Sequence, residues 1–384
     1  MYDLRSRRSW ENDDAVQFRD SLRRFLATEA VPRDPTWREQ KRVDRDFWRQ
    51  AGELGFLCPS LPVEYGGSDT NFSFEAVIEE ELGYAGITSF GHAVHGPIAA
   101  HYILRYGTPE QCLRWLPGMA SGELIGAIGM TEPGGGSDLQ AIRTTARRTG
   151  DRYVINGSKT FITNGQNADV IVLAVKTDPS QGARGVSMIV LETNDLAGFR
   201  RGRNLHKIGM HGSDTAELFF DDVRVPIGNL LGEEGQGFIQ MMESLPQERL
   251  AIALGAQATM ERAIEITVEY VNERQAFRQT LMDFQNTRFQ LAECLSNACV
   301  NRAFIDQCVT QHVSGGLSTV DASIAKAWST DRQCEVLDKC LQLHGGYGFM
   351  EEYPIARMYA DARVQRIYGG ANEIMKELIA RALR

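Results

Sequence analysis

A glycine-rich segment, GMTEPGGGSD at 129–138, is the first place in the sequence where residue types and spacing suggest chemistry. It sets three consecutive glycines beside the hydroxyls of Thr131 and Ser137. Glycines let a backbone approach a flat ring or a phosphate closely, and neighbouring hydroxyls and amides supply hydrogen bonds. The segment lacks a P-loop lysine and a strand-to-helix context, so a nucleoside-triphosphate site is disfavoured. A simple turn is the alternative interpretation.

Two charged residues further along the chain are also candidates. Glu248 precedes the apolar run 250–254, so it could lie at a dry pocket where its pKa would rise and it could act as a general base. The alternative is a first-turn carboxylate favoured by the helix dipole. Arg274, taken alone, is interpreted as a solvated helix charge, although its guanidinium has the two parallel donors that suit a diphosphate.

The elements that must position these residues follow from the periodicity of apolar residues. Residues 1–120 have helical spacing, and Thr108-Pro109-Glu110 has the cap, first-turn proline and acidic residue of a helix start. Residues 121–232 have the period of strands that follow one another without intervening helices, which predicts an antiparallel β-domain. Residues 233–384 return to helical spacing, with long helices over 281–311 and 319–343.

We therefore predict an α+β fold with an N-terminal helical domain (1–120), a central antiparallel β-domain (121–232) and a C-terminal four-helix bundle (233–384). Hairpin turns are expected at Gly150-Asp151 and Asn156-Gly157, where glycine stands beside Asp or Asn.

Composition excludes several classes of protein. The 384 residues include 41 Lys and Arg against 50 Asp and Glu, a net charge of −9, which argues against nucleic-acid binding through a general basic field. Seven cysteines form no CxxC pair and no metal-like cluster, which favours a reducing, cytoplasmic compartment and no metal site. No apolar h-region and no window of about 18 apolar residues occur, so neither secretion nor membrane insertion is expected.

Several motifs together give the sequence a specific resemblance. Four segments are involved: GMTEPGGGSDLQA at 129–141, FITNG at 161–165, ERQAF at 273–277 and QLHGGYGF at 342–349. In order and spacing they resemble the signatures of the acyl-CoA dehydrogenase family. The resemblance covers essentially the whole chain and is nearest to the long-chain branch.

The family resemblance implies FAD, held non-covalently where the β-domain, the C-terminal bundle and a neighbouring subunit of a homotetramer meet. The residues that it assigns to the flavin side are Met130, Thr131, Gly136, Ser137, Phe161, Ile162 and Thr163. Those assigned to the pyrophosphate, adenosine and remaining cofactor contacts are Arg274, Phe277, Gln285, Gln342, Gly345, Gly346, Ala371 and Glu373. Those assigned to the substrate are Ser137, Arg249, Tyr368, Gly369 and Gly370.

Two cofactor positions depart from the family pattern. Phe161 stands where the family commonly has Trp, which keeps an aromatic face but removes an indole donor. Ala371 replaces the usual Thr, which removes one hydrogen bond to the cofactor, about 1 kcal/mol.

The catalytic base is expected away from its usual place. Most members carry a glutamate at the position of Gly369, whereas LPQERL at 245–250 resembles the segment on which the long-chain and isovaleryl branches carry it. The resemblance therefore implies Glu248 as the base, and Glu373 as a competing carboxylate that we assign to FAD. The Gly369 N–H, with a flavin ribityl hydroxyl, would donate to the thioester oxygen. Glycines at 369 and 370 also predict room beside the α and β carbons.

The predicted reaction is α,β-dehydrogenation of a long-chain or branched fatty acyl-CoA to a trans-2-enoyl-CoA. Glu248 takes the α proton and the β hydrogen passes as hydride to flavin N5, with an electron-transferring flavoprotein as the acceptor that the family implies. The alternatives are an oxygen-using flavoenzyme of the same fold, such as an acyl-CoA oxidase or monooxygenase, and a non-catalytic protein that binds flavin or acyl-CoA.

Overall fold

The first part of the chain is helical, as the periodicity predicts. The structure is a computed structural model that describes residues 3–384. The helices are α1 (Asp13–Phe25), α2 (Asp34–Gln40), α3 (Arg45–Glu53), α4 (Phe72–Ala85), α5 (His101–Tyr106) and α6 (Pro109–Ala120). Helix α6 begins at the expected place, because the Thr108 side chain and Gln111 form a reciprocal capping box around its first turn. A π-helical segment with Pro97 inside it, Val94–Ala100, runs directly into α5.

The central region is an eight-stranded sheet. Its strands are β1 (Gly126–Gly129), β2 (Thr145–Thr149), β3 (Arg152–Thr163), β4 (Val170–Lys176), β5 (Val186–Glu192), β6 (Phe199–Asn204), β7 (Thr215–Pro226) and β8 (Leu230–Leu231). Their order is β6-β7-β3-β2-β4-β5-β8, with β1 beside β4. The pairings are antiparallel with two exceptions. Strand β1 pairs with β4 in parallel, and so does Thr145, the first residue of β2. The β2–β3 hairpin makes the crossover between β1 and β4, so no helix is needed there.

One of the two predicted hairpin turns is correct. Gly150-Asp151 joins β2 to β3, with Thr149 paired to Arg152. Asn156-Gly157 lies inside β3, so that prediction is wrong. The register against β7 shifts between Ile155 and Gly157, and a Cβ on Gly157 would lie 2.6 Å from the Thr144 hydroxyl. Glycine is needed there for a bulge and a close contact, not for a turn.

The last part of the chain is again helical. It contains α7 (Gly237–Glu273), α8 (Gln285–Val313), α9 (Thr319–His344), α10 (Pro354–Ala362) and α11 (Asn372–Arg381), with the short strands β9 (Gln275–Ala276) and β10 (Gln279–Thr280) after α7. Helices α7, α8 and α9 pack against one another, α4 packs along α7, and α10 and α11 pack on α9.

Strand β4 shows how the sheet joins the helices. All seven of its residues are buried. Val170, Val172 and Ala174 pack into the core of the N-terminal helices, whereas Ile171, Leu173 and Val175 pack into the core on the opposite face of the sheet. The run is therefore apolar on both faces because helices cover one side and strands the other. No helix within residues 3–384 is long and apolar enough to cross a membrane.

Candidate active site

A cavity of about 430 Å³ lies where β1, β3, α7 and the segment before α11 meet. Its apolar wall comprises Ala93, Val94, Ile98, Ile128, Phe238, Met242, Leu245, Ile252, Ile374 and Leu378. The predicted site residues that line it are Met130, Thr131, Gly136, Ser137, Phe161, Ile162, Thr163, Glu248, Arg249, Tyr368, Gly369 and Gly370. The structure thus brings residues from four segments of the sequence to one cavity.

Glu248 lies in the cavity wall on α7 and is 6% exposed. Burial raises the pKa of its carboxyl to about 7, although a hydrogen bond from Tyr102 and the charge of Arg249 oppose the rise. The Tyr102 hydroxyl donates to Oε1 of Glu248 at 3.2 Å. A carboxyl with this pKa in an apolar cavity suits a general base near neutral pH.

The turn of α7 that carries Glu248 is anchored to the π-helical segment before α5 and to α8. The preceding residue, Gln247, donates from Nε2 to the Pro97 carbonyl at 2.6 Å. Its Oε1 lies 3.0 Å from Nε2 of His312 on α8. Because Gln247 is buried, these contacts fix the rotation of α7 at the level of Glu248.

The backbone at Gly369 and Gly370 lines the same cavity as α7. Their φ angles are +61° and +90°, in the region that favours glycine. The Lys326 ammonium, buried on α9, donates to the Gly370 carbonyl at 2.7 Å and to Oδ1 of Asn372 at 2.8 Å. Burial lowers the pKa of Lys326 to about 8. A buried lysine thus holds the glycine segment in place, a contact that the sequence analysis does not anticipate.

The expected room beside these glycines is absent. A Cβ on Gly369 would lie 2.3 Å from Cδ1 of Ile252, and one on Gly370 would lie 2.7 Å from Cε of Met375. That prediction is wrong because side chains from α7 and α11 fill the volume that the glycines leave.

The glycine-rich loop is held by a buried ion pair. The Lys159 ammonium on β3 donates to the Met130 carbonyl at 3.0 Å and to Glu132 at 2.9 Å. Burial opposes ionisation of Glu132, but the charge of Lys159 outweighs it and lowers the pKa of that carboxyl. The Thr131 carbonyl accepts from the Thr160 N–H at 3.0 Å. A lysine in the interior of β3 is the sequence signal that could have pointed to this pair.

Phe161, Ile162 and Thr163 reach the cavity through an irregularity in β3. The register against β7 shifts between Lys159 and Ile162, and Phe161 has a φ of +60°. The side chain of Phe161 is 67% exposed although it lines the cavity. An aromatic ring with a strained backbone and an open face marks a place where a flat ligand could stack.

Four of the predicted cofactor residues lie elsewhere, in a second, open groove of about 600 Å³. These residues are Arg274, Gln342, Gly345 and Gly346. Tyr270 lies beside them and stacks on His344 with ring centroids 4.4 Å apart. The His344 Nδ1 is 2.9 Å from the Cys340 carbonyl, an interaction within α9 that holds the ring in place.

The remaining four predicted cofactor residues line neither space. Phe277 is 90% exposed at the tip of the β9–β10 hairpin. Gln285 is exposed at the first position of α8. Ala371 directly precedes α11, and Glu373 is exposed in the first turn of that helix. The predicted cofactor residues thus lie in several separate places on one chain.

Comparison with known proteins decides which family this arrangement belongs to. Three family models match: the acyl-CoA dehydrogenase N-terminal domain over residues 12–123, the middle domain over 127–223 and the C-terminal domain over 235–384. The chain belongs to the acyl-CoA dehydrogenase family. The predicted family, fold and enzyme class are therefore confirmed.

Individual relatives match over nearly their whole length. The chain is 45% identical to the long-chain specific acyl-CoA dehydrogenase of Rattus norvegicus mitochondria, over 100% of this chain and 89% of the relative. A crystal structure of an acyl-CoA dehydrogenase from Geobacillus kaustophilus superposes with a TM-score of 0.96 at 47% identity, covering 98% of this chain and 100% of the other. A glutaryl-CoA dehydrogenase from Mycobacterium smegmatis, in complex with FADH2, superposes with a TM-score of 0.90 at 29% identity, covering 97% and 95%.

The FAD predicted from the sequence is confirmed at the level of the family, and the residues of this chain fit it. The exposed ring of Phe161 offers a stacking face, and the hydroxyls of Thr131, Ser137 and Thr163 line the same cavity. In the second groove, a Cβ on Gly345 or Gly346 would meet no atom within 4 Å, so space for a ligand is open there beside the guanidinium of Arg274.

Proposed function

We propose that this acyl-CoA dehydrogenase family member oxidises long-chain acyl-CoA to trans-2-enoyl-CoA, with Glu248 as the general base. One observation carries the proposal. Glu248, Asp138 and Glu377 are the carboxylates that line the cavity within residues 3–384, and of these only Glu248 is buried. Glu373, the competing base, is exposed and does not line the cavity.

The chain's own groups supply the base and the hydrogen-bond donor for the reaction. Glu248 removes the α proton, and the backbone N–H of Gly369 donates to the thioester oxygen as negative charge develops there. Lys326 holds the carbonyl of Gly370, which keeps this backbone segment oriented. The apolar wall excludes water from the reacting carbons. Bound FAD supplies a hydride acceptor for the β hydrogen.

We further propose that each FAD site is shared between two chains of a homotetramer. The flavin-side residues and the second groove are separate spaces on one chain, and Phe277 and Gln285 are exposed on the surface. A dinucleotide that extends from the cavity of one subunit to Arg274, Phe277, Gln285, Gln342, Gly345 and Gly346 of a neighbour would use both sets. An electron-transferring flavoprotein as acceptor and a cytoplasmic location complete the proposal.

A long unbranched acyl chain suits this cavity better than a branched one. Ile252 and Met375 fill the volume beside Gly369 and Gly370, next to the proposed position of the α and β carbons. The apolar residues of the remaining wall come from several elements. Branched acyl groups are the second candidate.

Anaerobic mixing of the FAD-loaded protein with a panel of acyl-CoAs tests the proposal. Bleaching of the flavin absorbance should be fastest with a long straight chain and should become faster as pH rises through about 7, because Glu248 must be ionised. Rapid peroxide production in air would instead indicate an oxidase, and binding without bleaching a non-catalytic protein. A folded protein that takes up no FAD would contradict the proposal altogether.

A further inference from the structure

Glu248 has one hydrogen-bond donor among the described residues, and it comes from a distant part of the chain. Tyr102 on α5 is 1% exposed, and its hydroxyl donates to Oε1 of Glu248 at 3.2 Å. The two residues are 146 positions apart in the sequence. A buried phenol that donates to a buried carboxyl at the wall of a cavity calls for a functional explanation.

The two oxygens of this carboxyl differ in their surroundings. Oε1 is held by Tyr102, whereas Oε2 accepts a hydrogen bond from no donor within residues 3–384. Glu248 itself lines the cavity. We propose that Tyr102 is the positioning residue for Glu248, holding Oε1 so that Oε2 stays free to take the α proton of the substrate. This inference rests on the proposed function.

The chemistry of a phenol suits that task. A hydroxyl donates more strongly to an ionised carboxylate than to a neutral acid, so the contact favours the form of Glu248 that can act as a base. Burial and the nearby carboxyl raise the pKa of Tyr102 well above its usual value, so the hydroxyl keeps its proton across the working range of pH.

The other groups around the pair are few. Arg249 follows Glu248 in α7, and its charge also lowers the pKa of the carboxyl against the effect of burial. Ser244 lies one helical turn before Glu248, and Tyr106 lies one turn after Tyr102 on α5 with ring centroids 6.0 Å apart. None of these three residues forms a hydrogen bond with the Glu248 carboxyl, whereas Tyr102 does.

Tyr102→Phe in the FAD-loaded enzyme tests the inference, because it removes one oxygen and keeps the ring. Single-turnover flavin reduction by a long-chain acyl-CoA is measured from pH 5.5 to 9. Loss of one hydrogen bond should move the midpoint of the acid limb up by about 0.5–1 pH unit. Looser placement of the base should lower the plateau about 3- to 30-fold.

Tyr106→Phe is the matched control. The Tyr106 hydroxyl lies 3.1 Å from the Gln240 carbonyl, 2.9 Å from Glu243 and 3.5 Å from the Ser244 hydroxyl, so its removal takes away no hydrogen bond of Glu248. The control should keep the wild-type midpoint and plateau.

A second variant and a spectroscopic readout guard against a merely structural effect. Incorporation of 3-fluorotyrosine at position 102 makes the phenol a stronger donor and should move the midpoint down, opposite to Tyr102→Phe. Infrared difference spectra during pH titration follow the carboxyl stretch of Glu248, assigned by its absence in Glu248→Gln, and should report the same two shifts without turnover.

The outcomes separate this inference from the proposed function. Midpoints that stay at the wild-type value in both position-102 variants, while Glu248→Gln is inactive, would overturn the role of Tyr102 alone. Normal reduction by Glu248→Gln would overturn the proposed base, and the role of Tyr102 with it.

Discussion

Glu248 and Glu75 are both buried carboxylates whose pKa burial raises to about 7, yet their surroundings differ. Glu248 has one donor, Tyr102, and lines a cavity. Glu75, on α4, accepts from the Ser60 hydroxyl at 2.7 Å and has an Oε2 that lies 3.8 Å from His92 and accepts no hydrogen bond. It is fully enclosed and does not line the cavity.

The groups around Glu75 contact one another and do not line the cavity, although Oε2 of Glu75 accepts no hydrogen bond. His92 has Nδ1 2.9 Å from Glu79 and Nε2 3.0 Å from the Leu57 carbonyl. Both ring nitrogens face acceptors, an arrangement that suits an imidazolium, and the hydrogen bond and charge of Glu79 raise the pKa of His92 against the effect of burial. A raised carboxyl pKa therefore does not by itself mark a catalytic residue. The difference lies in access, since a substrate can reach Glu248 but not Glu75.

The largest effect should come from Glu248→Gln. The amide keeps the shape and can still accept from Tyr102 but cannot take a proton, so flavin reduction by acyl-CoA should fall at least about 10²- to 10⁴-fold. FAD content should stay near one per chain, measured by absorbance after gel filtration. Reduction within tenfold of wild type would remove the distinction between the two carboxyls.

A second prediction concerns a carboxyl placed at position 369 in place of the one at position 248. Gly369→Glu in the Glu248→Gln background should restore little activity, because its Cβ would clash with Ile252 and the backbone has a positive φ. Adding Ile252→Ala should then raise flavin reduction by roughly tenfold over the double variant, since it removes the clashing group. Equal rates with and without Ile252→Ala would show that Ile252 is not the obstacle.

Glu75→Gln should affect stability and not turnover. A carboxyl whose pKa is higher in the folded than in the unfolded protein stabilises the fold below its unfolded pKa, and that contribution is lost as pH rises toward about 7. The amide stays neutral and does not lose this contribution. The thermal midpoint of the variant, relative to that of wild type, should therefore rise by roughly 2–4 °C between pH 5 and pH 8. Flavin reduction should remain within about twofold. A fall of 100-fold would contradict the assignment of an enclosed structural role.

The smallest effect is expected from Glu373→Gln, on the exposed first turn of α11. We expect weaker retention of FAD, about 1 kcal/mol or roughly fivefold in the dissociation constant, with the rate of reduction unchanged in the loaded enzyme. Dilution followed by flavin fluorescence measures it. A variant that binds FAD normally but is not reduced would instead identify Glu373 as the base.

The features that could be predicted from the sequence are those that depend on local patterns of residues. The order of helices, strands and helices follows from periodicity. Helix α6 begins directly after Thr108 because the capping box is formed by residues within the four-residue stretch 108–111. Asn156-Gly157 was misassigned because the same residue pair serves a turn or a bulge, and only the partner strand β7 decides between them.

Twelve of the predicted site residues line the cavity, but the sequence did not indicate what they contact. Tyr102 meets Glu248 across 146 positions, and Lys326 reaches Gly370 across 44, so no local pattern indicates either contact. The same limit explains the error at Gly369. A missing side chain was taken for empty space, whereas Ile252 from another helix fills it.

Exchange of the substrate's α hydrogen with solvent tests whether Glu248 is the base, because it reports proton removal without hydride transfer. An acyl-CoA whose β carbon is replaced by sulfur can lose its α proton but offers no β hydrogen. In deuterated buffer the FAD-loaded wild-type enzyme should introduce deuterium at the α carbon, and Glu75→Gln should do so at the same rate. Glu248→Gln should slow the exchange at least about 10²-fold. Exchange at the wild-type rate in Glu248→Gln would contradict the assignment of the base.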